Sequence, residues 1–202
     1  MSLIRRTMEK AFASGQVLEK NKESMRWFSD KVRKLSYTPG QFIRDDPDVY
    51  NLVNRGSVGP GRMYTFFYDP KWKNDEKKLP YYDRFPCIFV IEMYSDGFLG
   101  LNLHYLRYSD RAALLDALFK YENDAKIDAN KKLKIGYGIV SSFAKSKLAK
   151  HCVKRYLKGH IRSKLMKIDH NYWPLVSMLP IHEFEGKKFR SMNQVWSRGR
   201  DR

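Results

Sequence analysis

The chain has 202 residues, of which 43% are hydrophobic and 14% aromatic, so it has enough apolar side chains to form a core. Its 39 Lys and Arg against 22 Asp and Glu give a formal net charge of +17. This excess is typical of a protein that meets a polyanion, such as nucleic acid, a membrane surface or an acidic protein, or that lies in an assembly that neutralises it. It also fits a merely soluble basic protein. With no secretory segment at the N-terminus and no run approaching the roughly 20 apolar residues of a bilayer span, we expect a soluble cytoplasmic protein.

The first 60 residues predict a helical arm followed by a connector. Apolar side chains recur at helical spacing through residues 1–36, and Trp27 and Phe28 belong to the apolar side of a basic amphipathic helix. Such a helix docks on its own domain or on a neighbouring subunit, or it binds a membrane or an anionic groove. Pro and Gly interrupt residues 37–60, which predicts a long connector.

Residues 61–106 predict the centre of the fold. Residues 95–97 read Ser-Asp-Gly, and Asp-Gly supplies the positive φ angles of a tight hairpin turn. The run after this turn alternates apolar and polar residues, as a half-buried strand does, whereas the run before it is apolar on both faces, as a central strand is. Three runs rich in aromatic and β-branched residues are typical of strands: residues 62–68, 87–94 and 98–105. They predict a small antiparallel β-sheet or a partly closed barrel.

The insert between the first two runs, residues 70–80, places lysines around Trp72. Lysines interleaved with a Trp can contact phosphates while the indole stacks on a base. The same pattern fits an exposed hairpin loop with one tucked aromatic side chain. Both interpretations remain open from the sequence.

Beyond the sheet the pattern indicates mostly helices. Ser109 is a plausible N-cap of an amphipathic helix that continues to about residue 121. Residues 133–143 are apolar at spacings that fit a strand or a helix. Residues 172–178 predict a short helix and residues 179–184 a further edge strand.

Residues 144–167 carry many Lys and Arg and no acid. Leu148, Cys152 and Tyr156 keep helical spacing, so we predict a helix with a basic face. Like charges three or four residues apart destabilise a helix by on the order of a few tenths of a kcal/mol per pair. Because no Glu offsets this cost, the run indicates that the basic face binds an external anion. It also fits a face that is simply solvated. The predicted DNA-binding residues are Lys145, Lys147, Lys150, Lys154, Arg155, Lys158, Arg162 and Lys164.

The tail from residue 186 reads as a basic arm with a hydrophobic anchor, which we expect to order only against a partner. We divide the chain into an arm and connector (1–60), an α+β core (61–185) with flanking helices, and a basic tail (186–202). Aromatic and Arg side chains often anchor interfaces. The predicted partner-binding residues in the two basic terminal arms are Trp27, Phe28, Arg190, Trp196 and Arg198.

No catalytic, cofactor-binding or metal-binding motif stands out. The histidines lack HExxH spacing, no phosphate-binding glycine loop follows a strand, and Cys87 and Cys152 look like buried apolar residues. Asp83, Glu92 and Asp96 lie near one another in the predicted sheet and, with Lys134, imitate a nuclease carboxylate cluster, but no Lys follows Glu92 as that motif requires. We therefore expect a protein that is not an enzyme and that has no catalytic residues, cofactor or metal.

Four segments carry a resemblance to a known family: WFSDKVRKL, GRMYTFFYDPKWK, LPYYDRFPCIFVIEMYSDGFLGLNLHYL and VWSRGR. They resemble the DNA end protector of large contractile-tailed bacteriophages, a head-completion component, over residues 27–196. The resemblance implies a virion protein that holds the packaged DNA end, shields it from host exonuclease, contacts other virion proteins and is present in the host cytoplasm during assembly. The acid-free run and the basic tail predict DNA binding that does not depend on sequence. An oligomer within the particle is compatible with this role, and no membrane partner is expected. The alternative is a baseplate or tail structural protein whose basic arms bind other virion subunits.

Overall fold

The computed structural model describes residues 50–122, 126–178 and 181–197, which form an α+β fold. These residues contain eight strands: β1 (Tyr50–Val53), β2 (Met63–Thr65), β3 (Tyr82–Asp83), β4 (Cys87–Met93), β5 (Gly97–Asn102), β6 (Val153–Leu157), β7 (Leu165–Ile168) and β8 (Phe184–Glu185). They also contain four α-helices: α1 (Tyr108–Glu122), α2 (Ala129–Lys145), α3 (Trp173–Met178) and α4 (Met192–Ser197). The N-terminal helices predicted from the sequence lie outside the described residues.

Six strands form one antiparallel sheet in the order β1-β7-β2-β4-β5-β6, and β3 pairs with β8 in a second sheet. The predicted α+β class with an antiparallel sheet is confirmed, and β4 is an interior strand as its apolar faces indicated. The alternative of a partly closed barrel is wrong. The sheet stays open because β1 pairs with β7 and β6 pairs with β5, which leaves these two strands at opposite edges.

The tight hairpin predicted at residues 95–97 joins β4 to β5, where the Tyr94 N–H donates to the Gly97 carbonyl at 2.8 Å. The glycine is required for a different reason than expected, because the φ angle of Gly97 is not positive. A Cβ atom at Gly97 would lie 2.1 Å from the Tyr156 carbonyl oxygen. Gly97 therefore permits the close approach of β6 to the turn.

Both faces of the sheet are buried. One face packs against the helices in a main core that includes Met63, Phe89, Leu101, Val140 and Val176. The other face carries a second, aromatic core of Val58, Tyr64, Phe66, Tyr68, Ile88, Val90, Phe98, Tyr156, Ile161 and Leu165. The half-buried alternation predicted for β5 is therefore wrong, because Phe98 is buried in this second core while Leu101 is buried in the main one.

The helices after the sheet largely follow the sequence pattern. Helix α1 confirms the predicted helix, but it begins at Tyr108, so Ser109 lies within its first turn and is not its N-cap. Helix α3 confirms the short helix at residues 172–178. Helix α2 resolves residues 133–143 as helical, and Asp128 caps it by accepting a hydrogen bond from the Lys131 N–H at 3.0 Å. The strand predicted at residues 179–184 overlaps β8 only at Phe184, because residues 181–183 belong to no strand and residues 179 and 180 lie outside the described residues. No helix among the described residues has the length and apolar character to cross a membrane.

The helix predicted at the start of the acid-free run 144–167 is wrong. Lys145 is the last residue of α2, a 3-10 turn covers Lys150–Cys152, and Val153–Leu157 is strand β6. The Tyr156 side chain is buried against the aromatic rings of Phe66 and Phe98. Pairing with β5 and burial of Tyr156 outweigh the helical spacing of the apolar residues.

Packing extends beyond residues 61–185 at both ends. Strand β1 pairs with β7, and Val195 of α4 is wholly buried in the main core. The Trp196 indole N–H donates to the His104 carbonyl at 3.1 Å. The division of the chain into an arm, a core and a tail stays a prediction, although β1 and α4 join the fold of the central residues.

Candidate nucleic-acid interface

The eight predicted DNA-binding residues are arranged around the edge strand β6. They lie in the segment leading into the strand, within the strand, and in the segment leading out of it: Lys145, Lys147 and Lys150; Lys154 and Arg155; Lys158, Arg162 and Lys164. The strand has five residues and so spans roughly 17 Å at about 3.4 Å per residue. The structure therefore distributes these cations along one sheet edge instead of one helix face.

Within β6 the two basic side chains are held by neighbours. The Arg155 guanidinium donates to the Asp96 carboxylate and lies 4.2 Å from the centre of the Tyr94 ring. The Lys154 ammonium lies 4.4 Å from the centre of the Tyr105 ring. These contacts fix the position of both cations.

The segment after β6 has partners that come from distant parts of the sequence. Lys158 Nζ donates to the Ser95 carbonyl at 3.2 Å, and Arg162 Nη2 donates to Asp69 Oδ2 at 3.3 Å. Asp69 also pairs with Lys73 at 2.8 Å. These cations lower the pKa of the Asp69 carboxyl, chiefly through the hydrogen bond from Lys73.

Four lysines of the set lack such acidic partners. Lys145, Lys147, Lys150 and Lys164 are exposed. Within the part of the chain that the structure describes, none of the four forms an ion pair with Asp or Glu. These four ammonium groups are therefore available to an external anion.

Trp72 lies beside β6, although the two are about 80 positions apart in sequence. The indole is 45% exposed, and the ammonium groups of Lys78 and Lys71 lie 3.7 and 5.0 Å from the centre of its ring. It lines a cleft of about 450 Å³ whose other walls include Tyr105 and Lys154. The sequence identified Trp72 and the basic run separately, and only the fold brings them together.

A buried polar network that the sequence did not indicate is centred on Asp83. Its Oδ1 accepts hydrogen bonds from the N–H groups of Phe85 and Glu183 at 3.1 and 3.2 Å. Its Oδ2 accepts from Asn102 Nδ2 at 3.0 Å and from His104 Nδ1 at 2.6 Å. Four donors thus surround a carboxylate that is 3% exposed. The network connects β3, the end of β5 and the segment before β8.

The pKa values of this buried pair follow from its surroundings. Burial alone would raise the pKa of the Asp83 carboxyl, but the His104 ring and the hydrogen bonds from Asn102 and the Glu183 N–H outweigh it, so the pKa lies below its usual value. Burial lowers the pKa of His104, and Asp83 only partly opposes that effect. The fold therefore holds an ionised Asp83 against a neutral His104.

Arg111 is a second buried charge that the sequence did not single out. Its guanidinium donates to the carbonyls of Leu106, Ser177 and His104 at 3.0, 2.8 and 3.3 Å. Burial lowers its pKa. The only sequence signal was a single Arg in the first turn of an amphipathic helix, where exposed cations are common. Arg111 links α1 to the end of α3.

The structure does not assemble the carboxylates that imitated a nuclease site. Asp83 is enclosed by its donors, Asp96 pairs with Arg155, and Glu92 is exposed on β4. Among the described residues no group of three or more His, Cys, Asp or Glu is placed to hold a metal ion.

The two cysteines are free and buried, as expected. Burial raises the pKa of Cys87 and of Cys152 to about 12. Both thiols therefore stay protonated and act as small apolar groups.

The predicted partner-binding residues are only partly within the described residues. Trp196 packs on Tyr108, with ring centres 5.6 Å apart, and so contacts its own chain. Arg190 is exposed just before α4. The other three lie outside the described residues: Trp27, Phe28 and Arg198. Partner binding by this set stays a prediction.

Comparison with known proteins gives one family. The family model described as Phage T4 terminal DNA protecting protein matches residues 2–199. No curated protein and no solved structure matches the chain. The family match covers almost all of the 202 residues, including β6, the Trp72 insert and the buried network. The chain belongs to the family of the phage T4 terminal DNA protecting protein.

Proposed function

We propose that this chain is a non-enzymatic virion protein that binds the packaged DNA end during head completion, through the basic surface around β6. Bound there, it shields the end from exonucleases. Family membership supports the protection of DNA ends. The observation that carries the proposed surface is a set of exposed lysines that have no acidic partner among the residues the structure describes: Lys145, Lys147, Lys150 and Lys164.

Lysines in this arrangement suit binding that does not depend on sequence. Ammonium groups contact phosphates as point charges, and phosphate contacts orient a protein on DNA without reading bases. A strand length of roughly 17 Å corresponds to about five base-pair steps at 3.4 Å each. The segments before and after β6 are therefore spaced to contact several successive phosphates.

The acids that come from other parts of the chain shape this surface. Asp96 engages Arg155 inside the strand, and Asp69 engages Arg162 after it. These exposed pairs add little stability, but they hold the guanidinium groups against the protein. The unpaired lysines then carry most of the attraction for DNA.

A role without catalysis is supported by the position of the acids. Both oxygens of Asp83 accept hydrogen bonds from protein donors and its side chain is buried, so this carboxylate is not placed to bind a metal ion or to act as a general base. Protection of an end then results from occupancy, since a bound protein excludes a nuclease from the terminal base pairs.

A salt titration with matched variants tests the surface. Binding of a linear duplex is measured by fluorescence anisotropy for the wild type, for K147Q/K150Q/K164Q and for the control K120Q/K131Q/K134Q. The control removes the same charge from exposed lysines on α1 and α2. For each lysine of the first set that contacts a phosphate, the log–log salt slope should fall by about 0.9. Equal slopes for the two variants would refute the surface around β6.

A second assay separates protection from cleavage. Linear DNA incubated with the protein and magnesium or manganese should stay intact, and it should resist an added exonuclease when the protein is bound. Cleavage by the purified protein would contradict a non-enzymatic role. Failure to slow the exonuclease at saturating protein would contradict protection by occupancy.

A further inference from the structure

The cleft beside β6 is built from aromatic rings under a rim of cations. Trp72, Tyr68 and Tyr105 line it together with Tyr82 and Leu79. Tyr68 and Tyr105 are 7% and 4% exposed, so they form the fixed floor, whereas Trp72 at 45% forms an open wall. Edge-to-face contact of Tyr68 with Tyr156, at 5.0 Å between ring centres, holds the floor against the second core.

The cations at this cleft surround its exposed ring. Lys78 and Lys71 approach the Trp72 indole, and Lys154 lies over Tyr105. Asp83 belongs to the lining but is buried and engaged by His104, and Asp75 forms a partly exposed ion pair with Lys78 at 3.4 Å, a kind of pair that adds little stability. The cleft therefore presents a flat apolar surface within a positive rim, which complements a planar aromatic group that carries a phosphate.

The volume of the cleft fits one nucleotide. Pockets of about 300–1,000 Å³ enclose small organic ligands, and this one measures about 450 Å³. Stacking on an exposed aromatic ring accepts any base, because every base has a π face. In duplex DNA the bases are stacked on one another, and taking one out of the stack costs about a few kcal/mol. An unpaired or frayed nucleotide at a terminus is already available.

We propose that this cleft binds the base of an unpaired nucleotide at the DNA terminus, with the base on Trp72 and its phosphate at Lys71 and Lys78. The inference rests on the proposed function and adds a means of distinguishing a DNA end from the interior of the duplex. The lysines around β6 bind the flanking duplex, and the cleft then binds the end itself.

Competition binding with three DNA forms tests the cleft: a duplex with single-stranded overhangs, the same duplex with blunt ends, and closed circular DNA. The wild type should prefer the overhang duplex. W72A should weaken overhang binding by about 5- to 150-fold, the range expected for loss of one base–aromatic stack, and leave circular DNA binding unchanged. W72F, which keeps an aromatic ring, should retain most of the preference.

Y137A serves as the matched control, because Tyr137 is 38% exposed on α2 and does not line the cleft. A 2-aminopurine at the unpaired position should lose fluorescence on binding to the wild type and to Y137A, but not on binding to W72A. Thermal melting checks that each variant is folded. If W72A is not, the overhang preference and the 2-aminopurine signal of the wild type decide the question.

The outcomes separate this inference from the proposed function. Equal wild-type affinity for overhang, blunt and circular DNA would overturn the cleft but leave binding by the β6 surface intact. Retention of the overhang preference by W72A would also overturn it. Absence of binding to every DNA form would overturn both proposals.

Discussion

Replacing Asp83 by Asn should destabilise the fold strongly, because the change reverses half of the hydrogen-bonding at the centre of the buried network. The remaining Asn oxygen can still accept from the N–H groups of Phe85 and Glu183. The new amide group donates, however, and it faces two donors, Asn102 Nδ2 and His104 Nδ1. At neutral pH the substitution also removes a buried negative charge.

The magnitude follows from the number of donors left unpaired. A buried donor without a partner costs about 1–3 kcal/mol, so two of them give about 2–6 kcal/mol. A change of tautomer would let His104 Nδ1 accept from the new amide, which leaves the lower half of that range. Small domains have roughly 5–15 kcal/mol in total, so D83N would lose a large part of its stability.

Urea denaturation followed by Trp fluorescence and by circular dichroism measures the loss. D96N is the matched control, because Asp96 forms an exposed ion pair with Arg155. Exposed pairs contribute roughly 0.2–1 kcal/mol, so D96N should unfold close to the wild type. If D83N lost no more than D96N, the central role of Asp83 in the fold would be refuted.

Two further predictions concern the same core. The pKa of Asp83 lies below its usual 3.8 and that of His104 below its usual 6.5. The unfolded chain therefore takes up protons at higher pH than the folded one. The stability from His104 is lost as pH falls below about 6.5, and that from Asp83 as pH falls below about 3.8. In urea denaturation midpoints measured as a function of pH, H104Q should flatten the decline just below about pH 6.5, whereas the control H170Q should leave it unchanged. A decline that H104Q leaves unaltered would contradict its assignment to His104. Deleting residues 192–202 should lower the melting temperature, because Val195 is wholly buried and its loss opens the main core at a cost of about 2–5 kcal/mol. An unchanged melting temperature would show that α4 does not contribute to the stability of the fold.

Local signals in the sequence were sufficient for the elements that depend on neighbouring residues. The turn at residues 95–97, helix α1 and helix α3 each rest on a few adjacent residues, and each was predicted correctly. The half-buried pattern of β5 was not, because the aromatic rings that cover Phe98 come from positions 66 and 156. Whether a strand face is solvated depends on such distant partners.

The acid-free run shows how a real spacing can mislead. Leu148, Cys152 and Tyr156 do recur at helical steps, but they belong to a turn, a 3-10 segment and a strand. Strand β6 gains its stability from pairing with β5, which begins at Gly97. The spacing of residues in the sequence contains no information about that pairing. The predicted basic residues therefore do lie near one another, but along the edge of a sheet and not on the face of a helix.

The candidate site was predicted in parts and not as a whole. Trp72 and the basic residues were both identified, because lysines near a Trp and a run without acids are visible in the sequence. Their meeting at one cleft depends on the fold. The Asp83–His104 pair was not foreseen either, since the two residues are 21 positions apart and each resembles an ordinary polar residue of a strand or loop.

The excess charge itself argues for an external anion, whatever fold the chain adopts. With 39 Lys and Arg and 22 Asp and Glu, pairing each acid with one cation would still leave 39 − 22 = 17 cations without an acid. Where one acid engages two cations, as Asp69 does with Lys73 and Arg162, the number falls by one, but the net charge of +17 does not change. What the fold decides is where the remainder lies. It places Asp69 and Asp96 against guanidinium groups near β6 and leaves exposed lysines on both sides of the strand. Because these like charges are held close together, they repel one another. DNA phosphates are attracted to the lysines beside β6, and their binding relieves that repulsion.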